Sequence, residues 1–219
     1  MIRYEDVRRN DAIKEYIKAA DRSLQALGYT EHSFAHVGKV AEDAANILLA
    51  LDYPEREVEL ARIAGYMHDI GNLVNREEHS QSGAVMAFRL LDNMGMPANE
   101  IAEIVTAIGN HDEGTGVPVS PLAAALILAD KSDVRRTRVR NSDPTGFDIH
   151  DRVNYSVLLS ELKINKEERT ASLNIKIDTA ISAVMNYFEI FLGRMILCRG
   201  AAEKLGLSFR LIINDQQLF

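Results

Sequence analysis

Cysteine is scarce in this sequence: Cys198 is the only one among 219 residues. A single thiol excludes an internal disulfide framework and is typical of a protein in a reducing compartment such as the cytosol. The first residues, Met1 to Asp6, are charged rather than apolar, so we expect no secretory signal. These features together predict a cytoplasmic protein.

Long apolar runs and a positive charge balance are also missing. The longest clean apolar run, Leu122 to Ala129, is far shorter than the roughly 20 residues that a membrane span needs, so we expect no membrane partner. The net charge of −7 argues against strong nucleic-acid binding, which depends on positive surface. The local exception is Lys131 to Arg140, which carries five basic residues against one acid, Asp133.

What is present is the composition of a soluble globular protein, with 47% hydrophobic and 26% charged residues. At this length we expect one domain, or one domain with a modest appendage. The composition becomes basic and then polar after Asp130. We therefore predict a helical domain over residues 1–140 and a C-terminal α+β appendage over residues 141–219.

Apolar residues at three- and four-residue spacing predict helices along most of the chain to about residue 131. Gly28 is a typical residue after a helix end, and Pro54 and Pro121 lie where a first helical turn accepts proline. The predicted helices span residues 11–27, 33–51, 54–68, 80–94, 99–110 and 120–128.

The rest of the chain predicts strands around one helix. Residues 153–164 and 170–177 alternate in polarity and predict a hairpin, residues 179–205 a helix, and residues 208–213 a third strand. The predicted fold is mainly α: a bundle of five or six helices with a small α+β element of about three strands and a helix.

Six residues of the helical part have the side chains and the placement of metal ligands. They are His36, His68, Asp69, His79, His111 and Asp130. Imidazole nitrogens with carboxylate oxygens suit Mn, Fe, Co, Ni or Zn, and the lack of thiolates disfavours a structural zinc site. Asp130 ends a very apolar helix, where a buried carboxylate needs a partner or a metal. Each residue alone is more often structural, but the set together predicts a metal centre.

The strings around these residues resemble the HD-domain superfamily of metal-dependent phosphohydrolases. They are "HVGKVA" from His36, "YMHDIG" from Tyr66, "HSQSGA" from His79 and "LADKSD" from Leu128. The resemblance covers roughly residues 30 to 140, and it implies a helical bundle built around the metal centre. The additional histidines between the His-Asp pair and the last aspartate resemble the binuclear branch of the superfamily. The glycine-tyrosine-proline signature of its cyclic-dinucleotide subgroup is absent, which argues against that substrate.

The resemblance implies a role for each ligand. His36, His68, Asp69 and Asp130 would hold a first ion, His79 and His111 would serve a second, and Asp69 would bridge the two. A water between two cations loses its proton near neutral pH, so the metal-bound hydroxide becomes the nucleophile. The cations also stabilise charge on the phosphate oxygens. The implied cofactors are therefore two divalent metal ions.

Other residues near the ligands are candidates for contact with substrate. We predict that Asp69, Lys131 and His32 are catalytic, with Lys131 favoured over Asp133 for reaching substrate oxygens. His32 lies four residues before His36 and would share its helix face. It would bind phosphate or donate to the leaving group, or alternatively form a structural hydrogen bond at the helix start.

Arg135, Arg136 and Arg138 are the predicted substrate-binding residues, because guanidinium groups match phosphate geometry. A solvated charged face is the alternative. Asp112 and Glu113 could orient His111 or act as an acid, with solvated loop charges as the alternative, which is favoured more for Glu113. His150-Asp151 is a second His-Asp pair, expected outside the ligand set unless the tail folds back over the site.

The sequence thus predicts a phosphohydrolase that cleaves a phosphate ester or phosphoanhydride of a nucleotide or similar small anion. Two alternatives stay open: a diiron oxygenase on the same scaffold, and a non-catalytic nucleotide-sensing regulator. The expected partner is the small phosphorylated substrate. The oligomeric state is open, with a homodimer as one option.

Overall fold

The computed structural model describes residues 1–141 and 143–218, and most of them are helical. The helices are α1 (Tyr4–Arg9), α2 (Asp11–Ala26), α3 (Phe34–Ala50), α4 (Glu55–Met67), α5 (His79–Asn93), α6 (Ala98–Gly109), α7 (Pro121–Lys131), α8 (Ile149–Ser156) and α9 (Val184–Lys204). Short 3-10 turns lie at Ile70–Leu73, Arg136–Arg138 and Pro144–Gly146. The strands are β1 (Val157–Asn165), β2 (Thr170–Ile177), β3 (Ser208–Ile213) and β4 (Gln216–Gln217). The predicted fold class is confirmed.

Side-chain caps fix where several helices begin. The Asn10 side chain accepts hydrogen bonds from the first-turn amides of α2, and the Ser33 side chain accepts one from the first turn of α3. Ser120 accepts from the amide of Ala123 at 3.1 Å, and Pro121 follows it as the first residue of α7. Gly28 has φ +83°, a left-handed conformation that glycine adopts without strain. The helix end predicted before Gly28 and the first-turn position predicted for Pro121 are therefore confirmed.

Helix α7 is the central element of the bundle. It contacts α3, α4, α6 and α9, and its residues Leu122 to Ala129 are buried on every side. A helix that is apolar all round is stable in water only when it is enclosed in this way. The central position of α7 places its C-terminal residues, Asp130 and Lys131, at the meeting point of the surrounding helices.

The C-terminal part forms a four-stranded sheet in the order β1-β2-β3-β4. Strands β1 and β2 form the predicted antiparallel hairpin, while β2 and β3 are parallel and are joined by α9. The prediction of a strand from Val153 is wrong at its start, since residues 149–156 form α8. Asp148 caps that helix by accepting from the amide of Asp151 at 2.8 Å, and Val153 and Ser156 are buried on one of its faces.

None of the helices in the described ranges is long and apolar enough to cross a membrane.

Helix α3, which carries His36, and helix α4, which His68 directly follows, approach each other closely at Gly65. A Cβ atom at this position would lie 2.7 Å from the Cα atom of Ala41. Real side-chain atoms do not approach backbone this closely, so the spacing of the two helices depends on the missing side chain.

We expect Gly65→Ala to lower the free energy of unfolding by about 1–3 kcal/mol, because the added methyl group must push α3 away. Gly38→Ala is the matched control, since Gly38 is also inside a helix but nothing lies within 4 Å of its added Cβ atom. That control should be neutral or stabilising by up to about 1 kcal/mol. Urea unfolding followed by circular dichroism measures both variants, and equal effects would contradict the close-approach argument.

Candidate metal centre

The structure brings the six predicted ligands together at the centre of the bundle. Their side chains are buried or nearly so: His36, His68, Asp69, His79, His111 and Asp130. His36 lies in the first turn of α3, His68 directly follows α4, and His79 begins α5. Because the helices converge on α7, helix ends that are distant in the sequence meet beside Asp130.

One half of the cluster is formed by two imidazoles that face two carboxylates. The Nε2 atom of His36 lies 3.3 Å from Oδ1 of Asp130 and 3.5 Å from Oδ2 of Asp69. The Nε2 atom of His68 lies 3.3 Å from Oδ2 of Asp69 and 3.6 Å from Oδ1 of Asp130. Both nitrogens are buried, and neither has a hydrogen-bond partner among the residues that the structure describes.

His79 and His111 form the other half of the cluster, which lies beside the second carboxylate oxygen of Asp69. Oδ1 of this carboxylate is 3.4 Å from Nε2 of His79, which is itself 3.2 Å from Nε2 of His111. Asp69 therefore presents one oxygen to each half of the cluster. His68, Asp69 and His111 also offer ligand atoms within 4.8 Å of one another, as do His36, His68 and Asp130.

The second nitrogen of each ring explains why all four histidines present Nε2 to the centre. The Nδ1 atoms of His68, His79 and His111 lie 2.8, 3.1 and 2.6 Å from the backbone carbonyl oxygens of Gly65, Arg76 and Ile108. Nδ1 of His36 lies 2.7 Å from Oδ2 of Asp133. Carbonyl and carboxylate oxygens only accept, so each Nδ1 atom is the donor and each Nε2 atom of a neutral ring carries a lone pair.

These lone pairs face other electron-rich atoms and require a cation between them. Burial lowers the pKa of His68, but Asp69 and Asp130 outweigh burial and raise it to about 10, so a proton can take that position. At His79 and His111 burial lowers the pKa, which disfavours a proton there at neutral pH. The donor set and its geometry therefore fit divalent metal ions.

The carboxylates of the cluster are held in their charged form. Burial would raise the pKa of Asp69 and Asp130, yet both pKa values lie well below the usual range. His68 is the largest opposing influence on Asp69, and Lys131 is the largest on Asp130. The centre thus keeps two negative charges, which favours cation binding.

Lys131 belongs to a chain of ion pairs that reaches the C-terminal part. Its Nζ atom lies 2.8 Å from Oδ2 of Asp130 and 2.6 Å from Oε2 of Glu113. Arg194 of α9 donates from Nε to Oε1 of Glu113 at 2.9 Å. Glu113 is thus an ion-pair partner rather than a solvated loop charge. Arg194 could not be predicted from the sequence, because no motif connects it to residues so far upstream.

Asp133 supports the cluster instead of facing substrate. It is buried, and besides accepting from His36 it accepts from Arg135 Nε at 2.5 Å. Such a carboxylate behind a ligand fixes the orientation of the ring. Asp112 does not orient His111, whose Nδ1 is bound to Ile108; its own carboxylate lies 3.9 Å from Nε2 of His79.

The arginines predicted to bind substrate are not all at the site, which corrects that assignment. Arg135 is paired with Asp133, and Arg136 donates to the carbonyl oxygen of Tyr155 and packs on its ring. Neither lines the cavity above the ligands. Arg138 does line it, although its guanidinium also donates to backbone carbonyl oxygens.

A cavity of about 500 Å³ opens over Asp69, His79 and Asp130. Its cationic side chains come from Arg76, Lys131, Arg138 and Arg194, and its walls also include His32, Tyr29, His150 and Asn154. The tail does fold back, since α8 and α9 form part of the wall. His150 is exposed and lines the cavity, but it is not among the residues that form the ligand cluster.

Comparison with known proteins agrees with this site. Residues 33–135, just under half of the chain, match the model of the HD domain family, and all six predicted ligands lie inside this segment. An uncharacterized protein of Methanocaldococcus jannaschii is similar, with 24% identity over 211 residues that cover 85% of this chain and 79% of that protein. The resemblance inferred from the ligand motifs is confirmed, because residues 33–135 match the model of the HD domain family.

We expect Asp133→Asn to weaken metal affinity by about 10- to 100-fold, because the hydrogen bond that orients His36 loses its charge. Calorimetric titration of the metal-free protein with Mn²⁺ measures this. Asp92→Asn, at an exposed position of α5, is the control and should bind Mn²⁺ like the wild type. Unchanged affinity in the Asp133 variant would exclude the orienting role.

We expect Arg194→Gln to lower the free energy of unfolding by about 1–3 kcal/mol, because Glu113 loses a charged hydrogen-bond donor in a partly buried network. Lys204→Gln on the same helix is the control. Lys204 is exposed at the C-terminal end of α9 and should contribute less than about 1 kcal/mol. Equal urea midpoints for the two variants would show that the network does not tie α9 to the bundle.

Proposed function

We propose that this protein is a metal-dependent phosphohydrolase that cleaves a phosphate ester or phosphoanhydride of a nucleotide or similar small anion. The observation that carries the proposal is a cluster of four imidazole lone pairs and two ionised carboxylates beneath a cavity with four cationic side chains. The cationic lining attracts an anionic substrate. It therefore favours the phosphohydrolase over the oxygenase alternative, which uses the same ligands but needs no such lining.

The ligand geometry supports two divalent ions. His36, His68, Asp130 and one oxygen of Asp69 would hold the first, and His79, His111 and the other oxygen of Asp69 would hold the second. When bound, the ions supply a water of lowered pKa and neutralise charge on the phosphate oxygens. Asp69 would contact both ions, because its two oxygens face opposite halves of the cluster.

His32 is assigned a role as a neutral acceptor. Its Nδ1 atom lies 2.7 Å from the carbonyl oxygen of Thr30, so the lone pair is on Nε2. Burial lowers the pKa of His32 well below its usual value. A neutral ring with this tautomer accepts a hydrogen bond from water or from a substrate hydroxyl, but it has no proton for a leaving group.

Lys131 keeps its charge. We assign it to hold Asp130 in place, in addition to attracting the substrate. Burial lowers its pKa, but Asp130 and Glu113 outweigh burial and raise it. Because Nζ engages Oδ2 of Asp130, the other oxygen stays turned toward His36 and His68. Its charge also adds to the attraction of the cavity for phosphate.

The cavity volume supports a small substrate. A volume of about 500 Å³ lies within the range typical of small-molecule sites, roughly 300–1,000 Å³. The cavity is walled by α8 and α9 and by the segment Leu27–Thr30, and such a concave site suits a compact anion better than a polymer.

The decisive experiment is a panel of nucleotides and phosphoesters assayed with Mn²⁺, Fe²⁺ and Co²⁺, together with elemental analysis of the same protein. We expect turnover of at least one compound, dependent on metal and abolished by chelation. Substrate consumption that requires O₂ would support the oxygenase instead. Tight nucleotide binding without turnover under any metal would support the sensor.

Metal content distinguishes the ligand positions. We expect His68→Ala to remain folded but to lose most bound metal, and His111→Ala to retain about one ion with sharply lower turnover, since His111 serves one half of the cluster. His150→Ala should keep the wild-type metal content, because His150 lies outside the cluster. Elemental analysis measures all three. Loss of metal on changing His150, or full content without His68, would refute the assignment.

A further inference from the structure

Arg76 differs from the other cations of the cavity in its partners. Its Nη1 atom lies 3.3 Å from Oδ1 of Asn72 and 3.3 Å from Nε2 of His79, and its guanidinium lies 5.6 Å from the centre of the Tyr29 ring. Within residues 1–141 and 143–218, no carboxylate is within ion-pair distance of it. Lys131 and Arg194, by contrast, share Glu113.

The backbone of Arg76 is tied to the ligand that its side chain contacts. Its carbonyl oxygen accepts from Nδ1 of His79 at 3.1 Å and from the backbone amide of His79 at 3.4 Å. Glu78, just before α5, has φ +53°, so the chain turns sharply between the two residues. This turn places the guanidinium at the edge of the ligand cluster and inside the cavity.

The contact between Arg76 and His79 cannot coexist with a metal ion on the same nitrogen. Nδ1 of His79 is a donor, so Nε2 has a single lone pair, which either accepts from Nη1 or binds a cation. A cation on Nε2 also repels the guanidinium. The loaded site therefore frees a positively charged, fork-shaped donor that has no carboxylate to pair with.

We propose that Arg76 binds the substrate phosphate once the site holds its ions. This inference rests on the proposed function and adds a specific binding residue to it. The guanidinium offers parallel N–H donors that match two oxygens of a phosphate group. Its position beside His79 places the bound phosphate at the end of the cluster formed by His79 and His111.

Calorimetric titration of inorganic phosphate into Mn²⁺-loaded protein tests the proposal without turnover. We expect Arg76→Gln to weaken phosphate binding by roughly 10- to 100-fold, since charged hydrogen bonds are lost. Arg76→Lys should recover part of the affinity. Arg89→Gln, at an exposed position of α5 outside the cavity, is the matched control and should bind phosphate like the wild type.

Mn²⁺ titration of the same variants separates substrate binding from metal binding. Because Arg76 competes with the ion for His79, Arg76→Gln should bind Mn²⁺ at least as tightly as the wild type. Weaker Mn²⁺ binding would overturn the proposal in favour of a role in supporting the metal site. Equal phosphate affinity in wild type and Arg76→Gln, or no phosphate binding by the loaded wild type, would also overturn it.

A hydrolysis assay on the wild type keeps the two proposals distinguishable. If the wild type shows metal-dependent turnover but Arg76→Gln binds phosphate as tightly as the wild type, the proposed phosphohydrolase function stands and the role of Arg76 in binding phosphate is refuted. Where turnover is seen, the same variant should raise KM more than it lowers kcat, as expected for a contact made to the bound ground state.

Discussion

The burial of two ionised carboxylates at the end of an apolar helix is the constraint on which this structure depends. An unpaired charge in such surroundings costs several kcal/mol, so every element near Asp69 and Asp130 supplies a compensating group. Lys131 covers one oxygen of Asp130, and the imidazoles of His36, His68 and His79 approach the remaining oxygens. The bundle is thus arranged around an electrostatic requirement that the side chains satisfy only in part.

The fold and the ligand set could be predicted because both leave local signals. Helical spacing and caps such as Ser120 are encoded within a few residues, and the family motifs mark His36 and the His68-Asp69 pair directly. The start of β1 was misplaced because Val153 and its neighbours suit a strand or a helix. Only the cap at Asp148 and burial on one helical face decide between them.

The sequence could not predict which side chains form hydrogen bonds or ion pairs when they are far apart in the chain. Asp133 accepts from His36, 97 residues away, and Glu113 accepts from Arg194, 81 residues away. Nothing in the local sequence of Arg135 distinguishes a guanidinium that pairs with Asp133 from one that faces substrate. Arg76 was missed for the same reason, since its importance arises from the turn that brings it against His79.

The parallel pairing of β2 with β3 makes α9 a crossover helix, and this has a consequence for biosynthesis. All six predicted ligands precede residue 131, so they are synthesised well before α9 and the cavity wall that carries Arg194. The segment that contains the candidate ligands is therefore translated before the helix that covers one side of their cavity.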